Sequence, residues 1–525
     1  MRRIRCVAAV SLFSALSMLA GAGARAASPA FRADLHTLRT ERAFDAARKQ
    51  GPPALRAFLV QMPKGADLHV HLSGAVYAES WIRAAGEDGL CIDTVELRFA
   101  RPDADKHCTA GQVGAAQMLA TMQQSASQTL YDRLVDSFSM RGFVPSAGWS
   151  GHDQFFATFS RFSGTSKAHA GEWIDEVAAR AAAQNEQYLE LMDTPAFGHA
   201  AALAAKIGWD ADLPALRQRL LDGGLFDEVE PARAAVEAAI KQRDQIEHCH
   251  TDRALPACMV TVRFLYQILR NNPPAQVFAQ TLLGFETIAR VPEFVGINFV
   301  QPEDAFYSMR DYTRQMQMLD YLHRLYPRVH ISLHAGELAP GLVPPDGLRF
   351  HIRQAIELGH AERIGHGVDG MDEDHAEALL KTMAERHILV EINLTSNAVI
   401  LGVKGVDHPL PDYRRAGVPV ALSTDDEGVS RIDLTHEYVR AAEEFGLGYA
   451  DLKQMARASL EHAFLPGDSL WSHEDRFTGP VAACEHQTLG GDKPTAACEK
   501  FLDASPKAAQ QWQLEHRFQV FEAEW

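Results

Sequence analysis

Along the chain, short apolar runs rich in β-formers alternate with longer stretches of helical periodicity. Runs of this kind, bounded by polar turns, read as buried strands. They fall at Ala66–His71, Gln187–Met192, Met259–Phe264, Phe294–Val300, Val329–His334, Arg363–His366, Ile388–Asn393 and Pro419–Ser423. Strands alternating with helices in this way predict an α/β fold closed into a parallel (β/α)8 TIM barrel. The gap over residues 73–186 is far longer than one crossover needs, which predicts a long helical insertion after strand 1, overhanging the barrel mouth. Residues 27–61 read as an N-terminal helical extension, 62–465 as the barrel, and 466–525 as a C-terminal extension.

The first 26 residues do not share the pattern. Arg2, Arg3 and Arg5 precede an apolar stretch from Val7 to Ala20, and Ala24-Arg25-Ala26 offers small residues around a cleavage point. This is the layout of a secretory signal peptide, too short for a stable span. It predicts a periplasmic or secreted product, cut near Ala26. Cleavage would remove four Arg and no acid, taking the net charge from −17 to −21. So acidic a surface repels nucleic acid and anionic membranes, and excludes both as expected partners. Cleavage would also remove Cys6 and leave six cysteines in neighbouring pairs: Cys91 with Cys108, Cys249 with Cys258, and Cys484 with Cys498. In an oxidising compartment an even count favours three local disulfides.

Polar residues gather at the C-terminal ends of the expected strands. His69 and His71 stand two apart, so a strand points both imidazoles to one side. His334 ends the fifth strand in His-Ala-Gly-Glu, His366 ends the sixth, and Asp425-Asp426 follow the eighth. Three imidazoles and a carboxylate suit one Zn2+ with a position left for water, which nominates His69, His71, His334 and Asp425 as ligands. Zinc brings the pKa of its water towards neutrality. Attack by the resulting hydroxide needs a base, for which His366 stands ready, and an acid, for which Glu337 stands three residues past a ligand. Asp426 is placed to hydrogen-bond the imidazole edge of a purine. Phe155, Phe156, Phe159 and Phe162 have helical spacing and read as core or lid packing.

Taken together, Met62-Pro63-Lys64-Gly65 before His69-x-His71, then His334-Ala335-Gly336-Glu337, Arg363-Ile364-Gly365-His366-Gly367, Ser396-Asn397 and Ser423-Thr424-Asp425-Asp426 resemble the adenosine deaminase family, in order, over about residues 62–430. The export signal and long insertion are similar to its extracellular, growth-factor-like branch. The resemblance implies hydrolytic deamination of adenosine, and of 2′-deoxyadenosine, to the inosine product and ammonia, with one zinc per chain and a small purine nucleoside as partner. Its growth-factor-like side also suggests pairing of two copies through the N-terminal helices. Two departures border the substrate pocket: Ser73 replaces an acidic residue that many relatives carry near the ribose, and Gln301 replaces a glycine beside the purine. Both count as candidate substrate-binding positions, and they leave open a modified adenine nucleoside as substrate. A related zinc amidohydrolase opening a cyclic amide or lactone is the alternative on the same barrel. A catalytically silent nucleoside-binding protein would normally have lost a ligand, and all four are present.

Overall fold

The computed structural model describes residues 29–194 and 197–525. The segment that reads as a signal peptide lies outside them. Eight strands form one sheet in sequential order: β1 (Gly65–His71), β2 (Glu186–Asp193), β3 (Thr261–Leu269), β4 (Phe294–Val300), β5 (His330–Ala335), β6 (Arg363–His366), β7 (Leu389–Ile392) and β8 (Val420–Leu422). Every neighbouring pair is parallel. Just beyond β8, Val70 and Asp425 make a parallel bridge; the Asp425 N–H donates to the His69 carbonyl at 2.8 Å and the His71 N–H to the Asp425 carbonyl at 2.9 Å. The sheet thereby closes on itself. Because both faces are covered, helices outside and packed side chains inside, the strands are buried almost throughout, β4 along all of its length.

The strands lie close to where the hydrophobic pattern places them, with one clear shift. β3 begins two residues later than expected and runs on to Leu269. Met259 belongs instead to a 3-10 turn behind the Cys249–Cys258 bridge and is exposed. The extra length carries Gln267 to the barrel mouth.

The insertion is not purely helical. After α3 (Ala78–Glu87) comes a small antiparallel sheet, Cys91–Asp93 between Arg98–Ala100 and Gln112–Gly114, pinned by the Cys91–Cys108 disulfide. Further helices follow, including α4 (Gly151–Arg161), before α5 (Ala170–Ala183), which packs on β2 as the crossover helix of the barrel. α4 starts cleanly because Ser150 and Asp153 cap it reciprocally.

The first and last of the described helices meet on the barrel. α1 (Pro29–Gln50) and α2 (Pro52–Leu59) pack with the last helix, α6 (Pro506–Ala523): Phe58 lies edge-on to Phe521 at 5.2 Å and Thr37 donates to Glu522 at 3.1 Å. Gln187 and the Glu186 carbonyl, at the N-terminal end of β2, are held by Gln510 and Arg517 of α6. The remaining cysteines, Cys484 and Cys498, are bonded beside this helix, so all three neighbouring pairs form. Among the described residues no helix is long and apolar enough to cross a membrane.

Candidate active site

The strand ends bring His69, His71, His334, His366, Glu337, Asp425 and Asp426 to one place, all buried except His71, which is partly so. Several are held in backbone conformations that side chains disfavour. His366, Asp425 and Gln301 have φ of 68, 61 and 85°, which costs of order 1–3 kcal/mol each and persists only where the surroundings enforce it. Two glycines make room. A Cβ at Gly365 would stand 2.4 Å from the His69 ring, and one at Gly74 would overlap the Asp426 carboxylate at 1.5 Å.

Each imidazole is oriented from behind. His69 donates its Nδ1–H to Glu391 Oε2 at 2.6 Å, His334 to Asn298 Oδ1 at 2.7 Å, His366 to Asn397 Oδ1 at 2.9 Å, and His71 to Gln267 Oε1. These bonds leave the Nε2 atoms of His69, His71 and His334 to face the centre of the cluster. Nε2 of His334 stands 3.1 Å from that of His69 and 3.2 Å from that of His71, and Asp425 Oδ1 stands 3.2 Å from His71 Nε2 and 3.6 Å from His69 Nε2. Four lone-pair donors so arranged repel one another unless a cation lies between them. A tetrahedral zinc with bonds of about 2.0–2.1 Å has ligand–ligand edges of roughly 3.3–3.4 Å, which these separations match. Asp425 Oδ1 is buried without a hydrogen bond, while its Oδ2 accepts from Ser396 at 2.6 Å. The electrostatics agree. Burial alone would lower the His69 imidazole, but the Asp425 and Glu391 carboxylates outweigh it and push it up to about 10, so the site calls for positive charge. The residues fit a divalent metal.

Around this cluster the titrations diverge. Burial, then the nearby carboxylates of Asp425 and Glu303, hold Glu337 well above the usual carboxylate range. Asp426 is likewise raised, by burial and by Asp425. Burial takes His366 down to about 4 and keeps it neutral. His366 Nε2 lies 3.7 Å from Glu337 Oε1 and 4.0 Å from Asp425 Oδ2. Burial thus shifts Glu337 towards its protonated form and His366 towards its neutral form, the two states an acid–base pair uses.

Above them opens a cavity of about 380 Å³. Ser73, Gln267, Gln301, Glu337 and Asp426 lie on its polar side; Phe155, Phe156 and Phe159 of α4 form an aromatic wall. Phe162 of the same run instead packs in the core against Trp81. Gln301 reaches the cavity, but its side-chain carbonyl accepts from the Asn271 N–H at 2.9 Å and so braces a loop.

Sequence reasoning did not single out the residues behind the imidazoles: Glu391, Gln267 and Asn298. Each had a signal, a polar side chain alone in an apolar strand that a barrel turns inwards. Beneath them lies a buried ion network in which Arg363 bridges Glu391 Oε1 and Glu190 Oε2, both at 2.7 Å. A second buried pair, Arg270 and Glu303, ties three strand ends: Arg270 donates to the carbonyls of Gln301 and His334, and Glu303 accepts the N–H groups of Gly336 and Glu337.

A parallel barrel thus carries, at the C-terminal ends of its strands, a His/Asp cluster that could hold a metal ion. The model of the adenosine deaminase family matches residues 172–472, and the chain belongs to that family. It is 41% identical to an adenosine deaminase of Salmonella schwarzengrund and 39% identical to one of Escherichia coli, in each case over 140 residues, 26% of this chain and 39% of the relative. The chain thus spans about two fifths of the length of the curated relatives it matches. In structure it is similar to a Burkholderia ambifaria amidohydrolase with bound zinc (TM-score 0.51, 19% identity, 78% of this chain and 88% of that one). It is also similar to Arabidopsis ADAL in complex with IMP (TM-score 0.50, 21% identity, 77% and 93%). These two share the barrel fold.

Proposed function

We propose that this protein is a zinc-dependent nucleoside deaminase that converts adenosine, and 2′-deoxyadenosine, to the inosine product and ammonia. The observation that carries this reading is Glu337, a buried carboxyl raised well above the usual range, set beside a cluster of His and Asp metal donors at the floor of the cavity. His69, His71, His334 and Asp425 would hold the zinc, which when bound supplies a water acidified enough to attack at neutral pH. Glu337 donates its proton to a purine ring nitrogen and so makes the amino-bearing carbon electrophilic. His366, neutral and fixed by Asn397, takes up the proton released from the attacking water. Asp426 hydrogen-bonds the imidazole edge of the base and holds it in line, while Phe156 and Phe159 cover the ring and exclude water.

The cavity wall also supports a nucleoside over a nucleotide. No lysine or arginine lines it among the described residues, so a phosphate would enter without a counter-charge. Ultraviolet absorbance tests the reading. Zinc-loaded protein should convert adenosine to inosine with AMP turned over at least a hundredfold less efficiently, chelation should abolish conversion, and Glu337→Gln should lower kcat by about 10²–10⁴. Folded, zinc-loaded protein that leaves adenosine unchanged would reject the assignment.

A further inference from the structure

A second group of metal donors lies outside the barrel, where the insertion joins the crossover helix. Glu87 ends α3, His169 closes a 3-10 turn, and Glu172 sits in the first turn of α5. One ligand atom from each lies within 4.8 Å of the others. Acidic residues gather on many surfaces without a metal; the histidine distinguishes this group. His169 is only 8% exposed, lies tilted beside Trp173, and its Nδ1 is buried with no hydrogen-bond partner. Its other nitrogen, Nε2, faces Asp88 Oδ1 at 3.3 Å, which fixes the tautomer with the proton on Nε2. A carboxylate behind a histidine is the support that metal-binding imidazoles carry.

Nδ1 has two carboxylate oxygens near it, Glu172 Oε1 at 3.3 Å and Glu87 Oε2 at 3.8 Å. Neither is hydrogen-bonded to Nδ1, so all three atoms remain open to a shared ion. These separations approach the edge of the same zinc tetrahedron used for the barrel site. Arg83 does not fill the gap. Its Nη1 binds the opposite oxygens, Glu87 Oε1 at 3.1 Å and Glu172 Oε2 at 2.9 Å, and so turns the inner pair towards His169.

We infer that Glu87, His169 and Glu172 form a second zinc site, with Asp88 and Arg83 orienting its ligands. The site would staple the two ends of the segment that carries the Cys91–Cys108 sheet and the aromatic wall of α4, since residue 87 precedes that segment and residue 169 follows it. Asp88 already reaches across the same junction to accept the Ser166 N–H at 2.6 Å.

Metal content separates this site from the barrel site. Full-length protein, dialysed against zinc and then against metal-free buffer, should retain two zinc ions per chain by plasma mass spectrometry. His169→Ala and His334→Ala should each retain one, and the double variant none. Glu87→Gln, at a half-exposed position that folding tolerates, should weaken one of the two zinc sites at least tenfold in a competition titration with a chromophoric chelator. If His169→Ala and Glu87→Gln hold as much zinc as the parent, or if His334→Ala holds none, the second site is overturned and the triad is an ion-paired surface cluster. If instead the parent and His334→Ala each hold one and His169→Ala none, the second site stands and the barrel assignment fails.

Discussion

At the residue scale, the chemistry depends on side chains that never touch a substrate. Glu391 receives the His69 N–H and is itself neutralised by Arg363, so the imidazole presents Nε2 as a lone pair. Glu391→Gln should weaken zinc binding by 10–100-fold, read by chelator competition, because an amide holds the tautomer less firmly. The acid and base make a pH prediction. His366 is lowered to about 4 by burial, so its neutral, proton-accepting form is present above that pH and lost below it. Glu337 is raised well above the usual carboxylate range by burial, which shifts the loss of its proton towards higher pH. The kcat/KM profile should therefore stay flat from neutrality down to about pH 5. An acid limb near 6.5 would show instead that His366 titrates as an ordinary solvated imidazole.

At the scale of elements, the barrel was legible because buried parallel strands are apolar on both faces and stand out as runs. The motif histidines and Asp425 were legible because they sit at the ends of those runs. What escaped was set by contacts between distant strands. The true end of β3 was hidden because Gln267 interrupts an apolar run, although that glutamine holds His71. The small sheet of the insertion was missed because its strands have three residues each, too few to show a period. Nor could spacing show that Arg270 and Glu303 lock the ends of β3, β4 and β5. Glu303 is drawn down to about 2: burial opposes this, but Arg270 and His351 outweigh it. Removing one partner of such a pair strands the other's charge and costs about 3–5 kcal/mol. Glu303→Gln should thus lower both the melting temperature and kcat, with zinc content unchanged, since it releases the loop that carries Glu337 but none of the metal donors. Trimming the aromatic wall acts differently. Phe159→Ala should raise KM severalfold with kcat nearly constant, the mark of lost uniform binding.

For the molecule as a whole, the excess of acidic groups sets the solution behaviour. With a net charge of −17, the folded chain repels itself, so raising sodium chloride from 20 to 200 mM should raise the melting temperature by screening that repulsion. Its first and last described helices pack together over the barrel, which makes the extensions part of the barrel's support. A consequence for inheritance follows from the bridge between Val70 and Asp425. The residue nominated to hold the metal is also the last stitch in the barrel wall, and its carbonyl and N–H are bonded to the strand that carries two more donors. Changes that erase the metal site by moving this backbone also unpick the wall. A lineage drifting towards a non-enzymatic role therefore has few neutral first steps here: it can exchange a side chain at position 425, but it must keep the strained turn that aimed it. Silent descendants of this barrel should still carry the shape of a centre they no longer use.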